Sequence, residues 1–281
     1  MAFITRFAPS PTGLLHRGHA FSALTAWTAA QSAGGRFLLR IEDTDFTRCR
    51  PEYEAAIVED LRWLGLDWEE PVLRQSEYRA DYDAALERLR NMGVLYRCFR
   101  TRKEIMALAG GAPHADDPAD ATAFTGGALS ADEEAERVAR GEAFAWRLSL
   151  AEARERLGGF EALTWVEEAA DPGVRQAAPE RLGDMVMGRK DIGAGYVIAS
   201  VIDDARQGVT HVIRGEDLIA TTSAQRVLQA LLELPTPVYR HHRLLLGPDG
   251  KRYAKRDRSV TLAELRASGV TAEALRAELG F

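Results

Sequence analysis

The stretch from Phe3 to Asp45, FITRFAPSPTGLLHRGHAFSALTAWTAAQSAGGRFLLRIEDTD, decides the fold. Residues 3–8 alternate apolar and polar side chains, the period of a short strand. AFSALTAWTAAQSA (20–33) is alanine-rich, favours helix and is stopped by Gly34-Gly35. RFLLRI (36–41) reads as a second strand and runs into the acidic cluster from Glu42 to Asp45. Strand, glycine-containing turn, helix and strand make a βαβ unit, whose right-handed crossover sets its two strands parallel. Ligands of such sheets sit at the carboxyl ends of the strands, so the 8–20 loop and the 42–45 cluster fall on one rim.

That loop, APSPTGLLHRGHA, gathers rigid turns, close backbone approach and titratable side chains between a strand and a helix. Gly18 allows a ligand to come near the main chain. His16 and His19 stand three apart at the helix start, where unpaired N–H groups and the helix dipole favour anions. Imidazole N–H groups there can donate to phosphate oxygens; a capping or packing role is the alternative for such a pair. No third ligand lies nearby to make the pair a metal site.

Outward from this unit, the chain of 281 residues has room for one large domain, or for one carrying a smaller domain. No apolar run approaches the ~20 residues that span a bilayer. The start, MAFITRFAPSP, lacks the charged head and long apolar core of a signal peptide. Cys49 and Cys98 are the only cysteines, too few for a disulfide framework. A cytoplasmic protein with no membrane partner is expected. The net charge of −6 argues against an all-over nucleic-acid binder. It leaves room for local basic patches, which are YRCFRTRK (96–103), YRHHR (239–243) and GKRYAKRDR (250–258).

Residues 51–64 read as a helix with Pro51 in its first turn and Ile57, Leu61 and Leu64 on one face. Residues 78–92 read as another, carrying Ala85, Leu86 and Leu89. Gly110 to Gly127 is rich in Gly, Ala, Asp and Pro and reads as a mobile loop between strand-like segments. GYVIASVIDD (195–204) and VTHVIRGEDL (209–218) read as strands ending in polar residues, and TSAQRVLQALLEL (222–234) as an amphipathic helix. After Ser259, Thr261 with Glu264 makes a capping box ahead of short helices. The expected organisation is an α/β chain. Residues 1–93 form the first half of a parallel-sheet domain, 94–175 an insertion, 176–259 the second half and 260–281 a helical tail.

PSPTGLLHRGHA resembles the first signature of class I aminoacyl-tRNA synthetases in its glutamyl/glutaminyl version, with His16-Arg17-Gly18-His19 at the His-x-Gly-His tetrad. KRYAKR (251–256) resembles the second signature, with Lys255 at the catalytic lysine. RFAPSPTG, RIEDTD and VIRGEDL are similar to glutamyl-family segments and occur in the expected order. The resemblance implies a Rossmann-type nucleotide-binding sheet, an inserted acceptor-like α/β subdomain and a short helical tail without an anticodon-binding domain. It implies formation of glutamyl-adenylate from L-glutamate and ATP, with Mg²⁺ entering on the ATP. On the same basis Pro9, His16, Gly18, His19 and Lys255 would bind ATP. His16, His19 and Lys255 would be catalytic, the lysine neutralising charge on the phosphates. Arg6 and Arg214 would pair with glutamate carboxylates, Glu42 would hold the ammonium, and Ser10 and Tyr196 would hydrogen-bond around it. An internal salt bridge between Arg6 and Glu42 is the alternative for those two.

The chain ends at Phe281, soon after Lys255, and in this it resembles the glutamyl-Q tRNA(Asp) synthetase family. That family passes glutamate to the cyclopentenediol of queuosine in the tRNA(Asp) anticodon loop. A minimal glutamyl-tRNA synthetase charging a 3′ end, or an inactive paralogue that binds glutamate or ATP for regulation, are the alternatives. Many relatives carry zinc on a Cys-x-Cys pair, a tyrosine and another cysteine. Here Arg100 stands at the second cysteine position after Cys98 and the following loop offers only His114, so no zinc is expected. Tyr253-Ala254 replaces an aliphatic residue and a serine of the second signature. A monomer is expected.

Overall fold

The computed structural model describes residues 2–101, 103–105, 123–189, 193–245 and 260–281. Its first half runs β1 (Ile4–Phe7), α1 (Arg17–Ser32), β2 (Arg36–Ile41), α2 (Pro51–Trp63), β3 (Glu69–Arg74), α3 (Arg79–Asn91) and β4 (Leu95–Cys98). The middle holds α4 (Ala131–Ala139), β5 (Ala145–Leu148), α5 (Leu150–Leu157), β6 (Thr164–Glu167), β7 (Gly173–Gln176), β8 (Met185–Arg189) and β9 (Gly193–Ala194). The last part is α6 (Tyr196–Arg206), β10 (His211–Gly215), α7 (Ile219–Leu231), β11 (Val238–His242), α8 (Leu262–Ala267) and α9 (Ala272–Leu279).

Strands β1, β2 and β3 are parallel, as are β10, β11 and β6, with β7 antiparallel at the outer edge. The two sets meet where the Thr210 N–H donates to the Ile4 carbonyl at 2.9 Å and the Ile4 N–H donates to Thr210 Oγ1 at 2.9 Å. The order across the molecule is therefore β3-β2-β1 and then β10-β11-β6-β7. From β1 the chain crosses to β2 on one side, and from β10 to β11 on the other. The crevice between the carboxyl ends of β1 and β10 is thus the switch point where ligands of such sheets bind. The turn into β2 depends on glycine. A Cβ on Gly35 would lie 2.3 Å from the Phe3 carbonyl oxygen, which accepts the Arg36 N–H at 2.8 Å.

Residues 196–206 form a helix where the local pattern reads as strand. The β-branched run favours an extended chain by itself. Packing overrides it: Ile198, Ala199 and Val201 are buried with Tyr82 and Leu89 of α3, in one apolar cluster with Val212. The helix also turns Asp203 and Asp204 inward, which a strand of alternating faces could not do together.

Strands β4, β5, β8 and β9 form a separate antiparallel sheet, whereas β6 and β7 pair with β11. The buried Asp184 carboxylate ties that sheet together by accepting from the Tyr96 hydroxyl, the Leu150 N–H and the Gly126 N–H, each at 2.9 Å. Arg97 lies over the Trp146 ring at 4.7 Å and adds a cation–π contact. Helices α8 and α9 bury Leu262, Leu265, Leu275 and Leu279 against the apolar cluster of α1 and α2. Thr261 and Glu264 form the expected capping box. No helix among the described residues is long and apolar enough to cross a membrane.

Candidate active site

Helix α1 begins at His16, whose extended backbone (φ −130°, ψ 177°) makes it the N-cap. Its Nδ1 accepts the Gly18 N–H at 3.1 Å, while the His16 N–H donates to His19 Nδ1 at 3.2 Å. A neutral ring that accepts at Nδ1 carries its hydrogen on Nε2. Capping therefore sets the tautomer of both rings, which lie 3.8 Å apart between centroids, and makes each Nε2–H a donor at the positive end of a helix. The capping and phosphate-binding roles of this pair coexist. The Gly18 N–H is committed to the cap.

The turn after β2 joins the same rim, because the Glu42 N–H donates to the Pro9 carbonyl at 3.0 Å. Ser10 is exposed at the head of the loop. Below it lies a buried charge cluster. Arg6 Nε donates to Asp204 Oδ1 at 2.9 Å, and Arg40 Nη1 donates to the same oxygen at 2.7 Å. Arg40 Nη2 donates to Glu42 Oε1 at 3.1 Å, and its Nε lies 4.0 Å from Asp203 Oδ2. Asp203 also accepts from Gln75 Nε2 at 2.8 Å and from the Tyr82 hydroxyl at 2.9 Å. Arg6 and Glu42 do not pair with each other; each takes a different partner, and Arg40 bridges them through Asp204.

Burial works against ionisation of every carboxyl in this cluster, and the arginines offset it unequally. Asp204, touching two guanidinium groups, is held down to about 2. Glu42 is pushed above its ordinary value, because burial outweighs the opposing Arg40 and Arg6 charges. A further cation beside Glu42 would therefore favour its ionised form.

The opposite condition holds on β10. Arg214 is 5% exposed and makes its hydrogen bonds, among the described residues, to groups other than carboxylates. Its Nη2 donates to Thr222 Oγ1 and Gln225 Oε1 at 2.8 Å and to the Leu218 carbonyl at 3.2 Å, all neutral acceptors. Its Nε donates to His241 Nε2 at 3.1 Å. Nη1 is buried without a partner among the described residues. A buried cation with no anion is costly unless a ligand supplies one.

Tyr196, at the start of α6, lies within the fields of both Glu42 and Arg214. Burial raises its phenol above the ordinary value; Glu42 and Asp204 add to the rise, and Arg214 and Arg6 oppose it. The structure thus gathers Arg6, Glu42, Tyr196 and Arg214 around one crevice, with His16 and His19 on the adjoining turn. Lys255 and the rest of 246–259 lie outside the described residues, as does His114. The described residues on either side of 246–259 are held by the fold. The Leu244 N–H donates to Glu216 Oε1 at 3.2 Å, and the Leu262 N–H donates to the Leu15 carbonyl at 2.8 Å, beside His16.

Several residues of this site escaped sequence reasoning: Arg40, Asp204, Thr222, Gln225, His241 and Glu167. One signal was available, an arginine inside the apolar run FLLRI, since a charge in a buried strand demands a partner. Nearby, a cleft of ≈ 380 Å³ is lined by Trp165, Glu167, Arg175, Gln176, Arg181 and Ser223 among others.

Residues 2–280 match the family described as tRNA synthetases class I (E and Q), catalytic domain. The chain belongs to that family. It is 44% identical over 285 residues to a glutamyl-Q tRNA(Asp) synthetase of Rhodobacter capsulatus, covering 99% of this chain and 100% of the relative. It is 36% identical to a glutamate–tRNA ligase of Prochlorococcus marinus, covering 96% of this chain and 56% of that one. A crystal structure of a glutamate tRNA ligase from Elizabethkingia meningosepticum, in complex with its amino acid, superposes with a TM-score of 0.79 at 26% identity. All of this chain is covered in that comparison, and it spans 61% of that structure's chain. Among the described residues of this class I synthetase domain no cluster of three or more His, Cys, Asp or Glu could hold a metal. Cys98 is a buried thiol at the end of β4.

Proposed function

We propose that the protein activates L-glutamate with ATP and transfers it to queuosine in the anticodon loop of tRNA(Asp). The observation that carries the first half is the buried Arg214 guanidinium, whose Nη1 has no partner among the described residues, with Tyr196 and the Glu42 carboxyl close enough to feel its site. A dicarboxylic amino acid suits both charged groups: its ammonium offsets Glu42 and its side-chain carboxylate takes the unused Nη1 of Arg214. Arg6, tied to Asp204, adds positive field near the reacting carboxylate, and Ser10 and Tyr196 supply hydroxyls around it.

A glutamate carboxylate oxygen attacks the α-phosphorus of ATP, the bond to the bridging oxygen breaks, and pyrophosphate leaves. The Nε2–H groups of His16 and His19 fit the charge that develops on the phosphate oxygens, and Pro9 and Gly18 bring the main chain close to the nucleotide. Lys255 supplies a further cation from the second signature. Mg²⁺ accompanies the nucleotide and offsets phosphate charge. Positioning and electrostatics suffice, and no covalent enzyme intermediate is needed. We take the domain to work as a cytoplasmic monomer without zinc. Its partner is the anticodon loop rather than the acceptor end, with the exposed Arg181 of the adjoining cleft available to phosphates. Relatives of that name, similar over nearly the whole chain, support the choice of acceptor.

The test is transfer of labelled glutamate to tRNA preparations with and without queuosine. Label confined to queuosine-containing tRNA, and resistant to 3′-ribose oxidation beforehand, is expected. Label at the 3′ end of both preparations would replace this reading with a minimal aminoacylating enzyme.

A further inference from the structure

Resting on the reading of Arg214 as the carboxylate receptor, we propose that Glu167 and His241 are positioning residues. They hold Arg214 through a carboxylate–imidazole–guanidinium chain that orients the cation without neutralising it. The chain runs across three neighbouring strands, β6, β11 and β10. Glu167, 3% exposed, accepts at Oε1 from the backbone N–H groups of His241 (2.9 Å), Ala169 (3.1 Å) and Ala170 (3.2 Å). Its other oxygen, Oε2, faces His241 Nδ1 at 2.6 Å. The far side of the imidazole, Nε2, faces Arg214 Nε at 3.1 Å and Thr222 Oγ1 at 3.3 Å.

The hydrogens of this network can be placed in one way. Arg214 Nε always carries a hydrogen, so His241 Nε2 must accept. Thr222 Oγ1 accepts from Arg214 Nη2 at 2.8 Å and lies 3.3 Å from the same Nε2. The imidazole hydrogen therefore sits on Nδ1 and is donated to Glu167. Charge states agree with this. Burial and the Arg214 charge push the His241 ring down to about 4, so it is neutral near pH 7. Burial opposes ionisation of Glu167 as well, but its N–H donors hold it below the ordinary carboxylate range.

The arrangement solves a specific problem. A carboxylate in direct contact would hold Arg214 firmly and also cancel the charge that must attract the substrate. One imidazole in between keeps the orientation, fixes which guanidinium nitrogens are spent, and leaves Nη1 for the ligand. Gln225 completes the hold, accepting from Nη2 and donating from Nε2 to Ser200 Oγ at 3.0 Å.

Glu167→Gln tests this with almost no change of shape. Its carbonyl oxygen keeps the three backbone donors, so its NH₂ falls opposite His241 Nδ1 and drives the ring to the other tautomer. The Nε2–H then confronts the Nε–H of Arg214. In glutamate-dependent pyrophosphate exchange the KM for glutamate should rise about tenfold or more, with the KM for ATP unchanged. His241→Gln, whose Oε1 can replace the Nε2 acceptor, should raise the glutamate KM less than His241→Leu. A merely structural role would make those two variants alike and leave both KM values in place. Arg214→Ala is run alongside. If it raises the glutamate KM while Glu167→Gln stays within about twofold of wild type, the positioning role is overturned and the reading of Arg214 stands. If Arg214→Ala also leaves that KM unchanged, the reading of Arg214 falls, and the positioning role with it.

Discussion

Arg40 and Arg214 are both buried arginines on parallel strands at the switch point of the sheet, and their surroundings are opposite. Arg40, 0% exposed, touches Asp204 and Glu42 and lies within 4.0 Å of Asp203. Arg214 touches two side-chain oxygens, a carbonyl and a neutral imidazole. The same side chain is scaffold where its charge is cancelled and receptor where it is not. Burial alone does not distinguish the two roles; the identity of the acceptors does.

The largest effect should come from the scaffold side. Arg40→Met leaves Glu42 and Asp204 buried with Arg6 as their nearest cation, and Asp203 with Arg206 at 4.0 Å. It should cost about 3–5 kcal/mol of stability, read as a lowered midpoint of urea unfolding. A loss under about 1 kcal/mol would mean that the cluster is not held by Arg40.

Arg214→Met should behave in the other way. Losing neutral hydrogen bonds should cost at most about 1–2 kcal/mol, while the KM for glutamate should rise on the order of 100-fold and that for ATP stay in place. Equal effects on both substrates would break the contrast.

The smallest effect is in acid. Asp204 is held at about 2 against an ordinary value of 3.8, so its ionisation stabilises the fold above its ordinary value. That contribution, about 2 kcal/mol, is lost as pH falls from about 4 toward 2. Asp204→Asn should remove this part of the acid limb, measured by urea unfolding at pH 5 and pH 3. An unchanged limb would place the acid lability elsewhere.

How legible each part was follows from how local its cause is. Strands β1 and β2 and helix α1 were readable because alternation, alanine content and the Gly34-Gly35 stop act over a few residues. The Thr261–Glu264 box was readable for the same reason. The run 195–204 reads as a strand because its β-branched residues favour one, and packing against Tyr82 and Leu89 makes it a helix instead. The candidate site was legible as a set of names through family signatures, but its charge pattern was not. Asp204 reaches Arg6 across 198 positions and His241 reaches Arg214 across 27, and no local spacing encodes either contact. Glu42 reads as the holder of an ammonium, while its partner Arg40, two residues earlier near the end of β2, is hidden inside an apolar run.

The central claim is that Arg214 is charged so that it can read a carboxylate. Calorimetric titration of glutamate and glutamine into the wild-type protein and into Arg214→Met tests it most directly. Wild type should prefer glutamate by about 100-fold or more, and the variant should bind both weakly with little difference between them. A variant that still prefers glutamate to the wild-type extent would show that another residue reads the carboxylate, and that the unpaired charge of Arg214 serves something else.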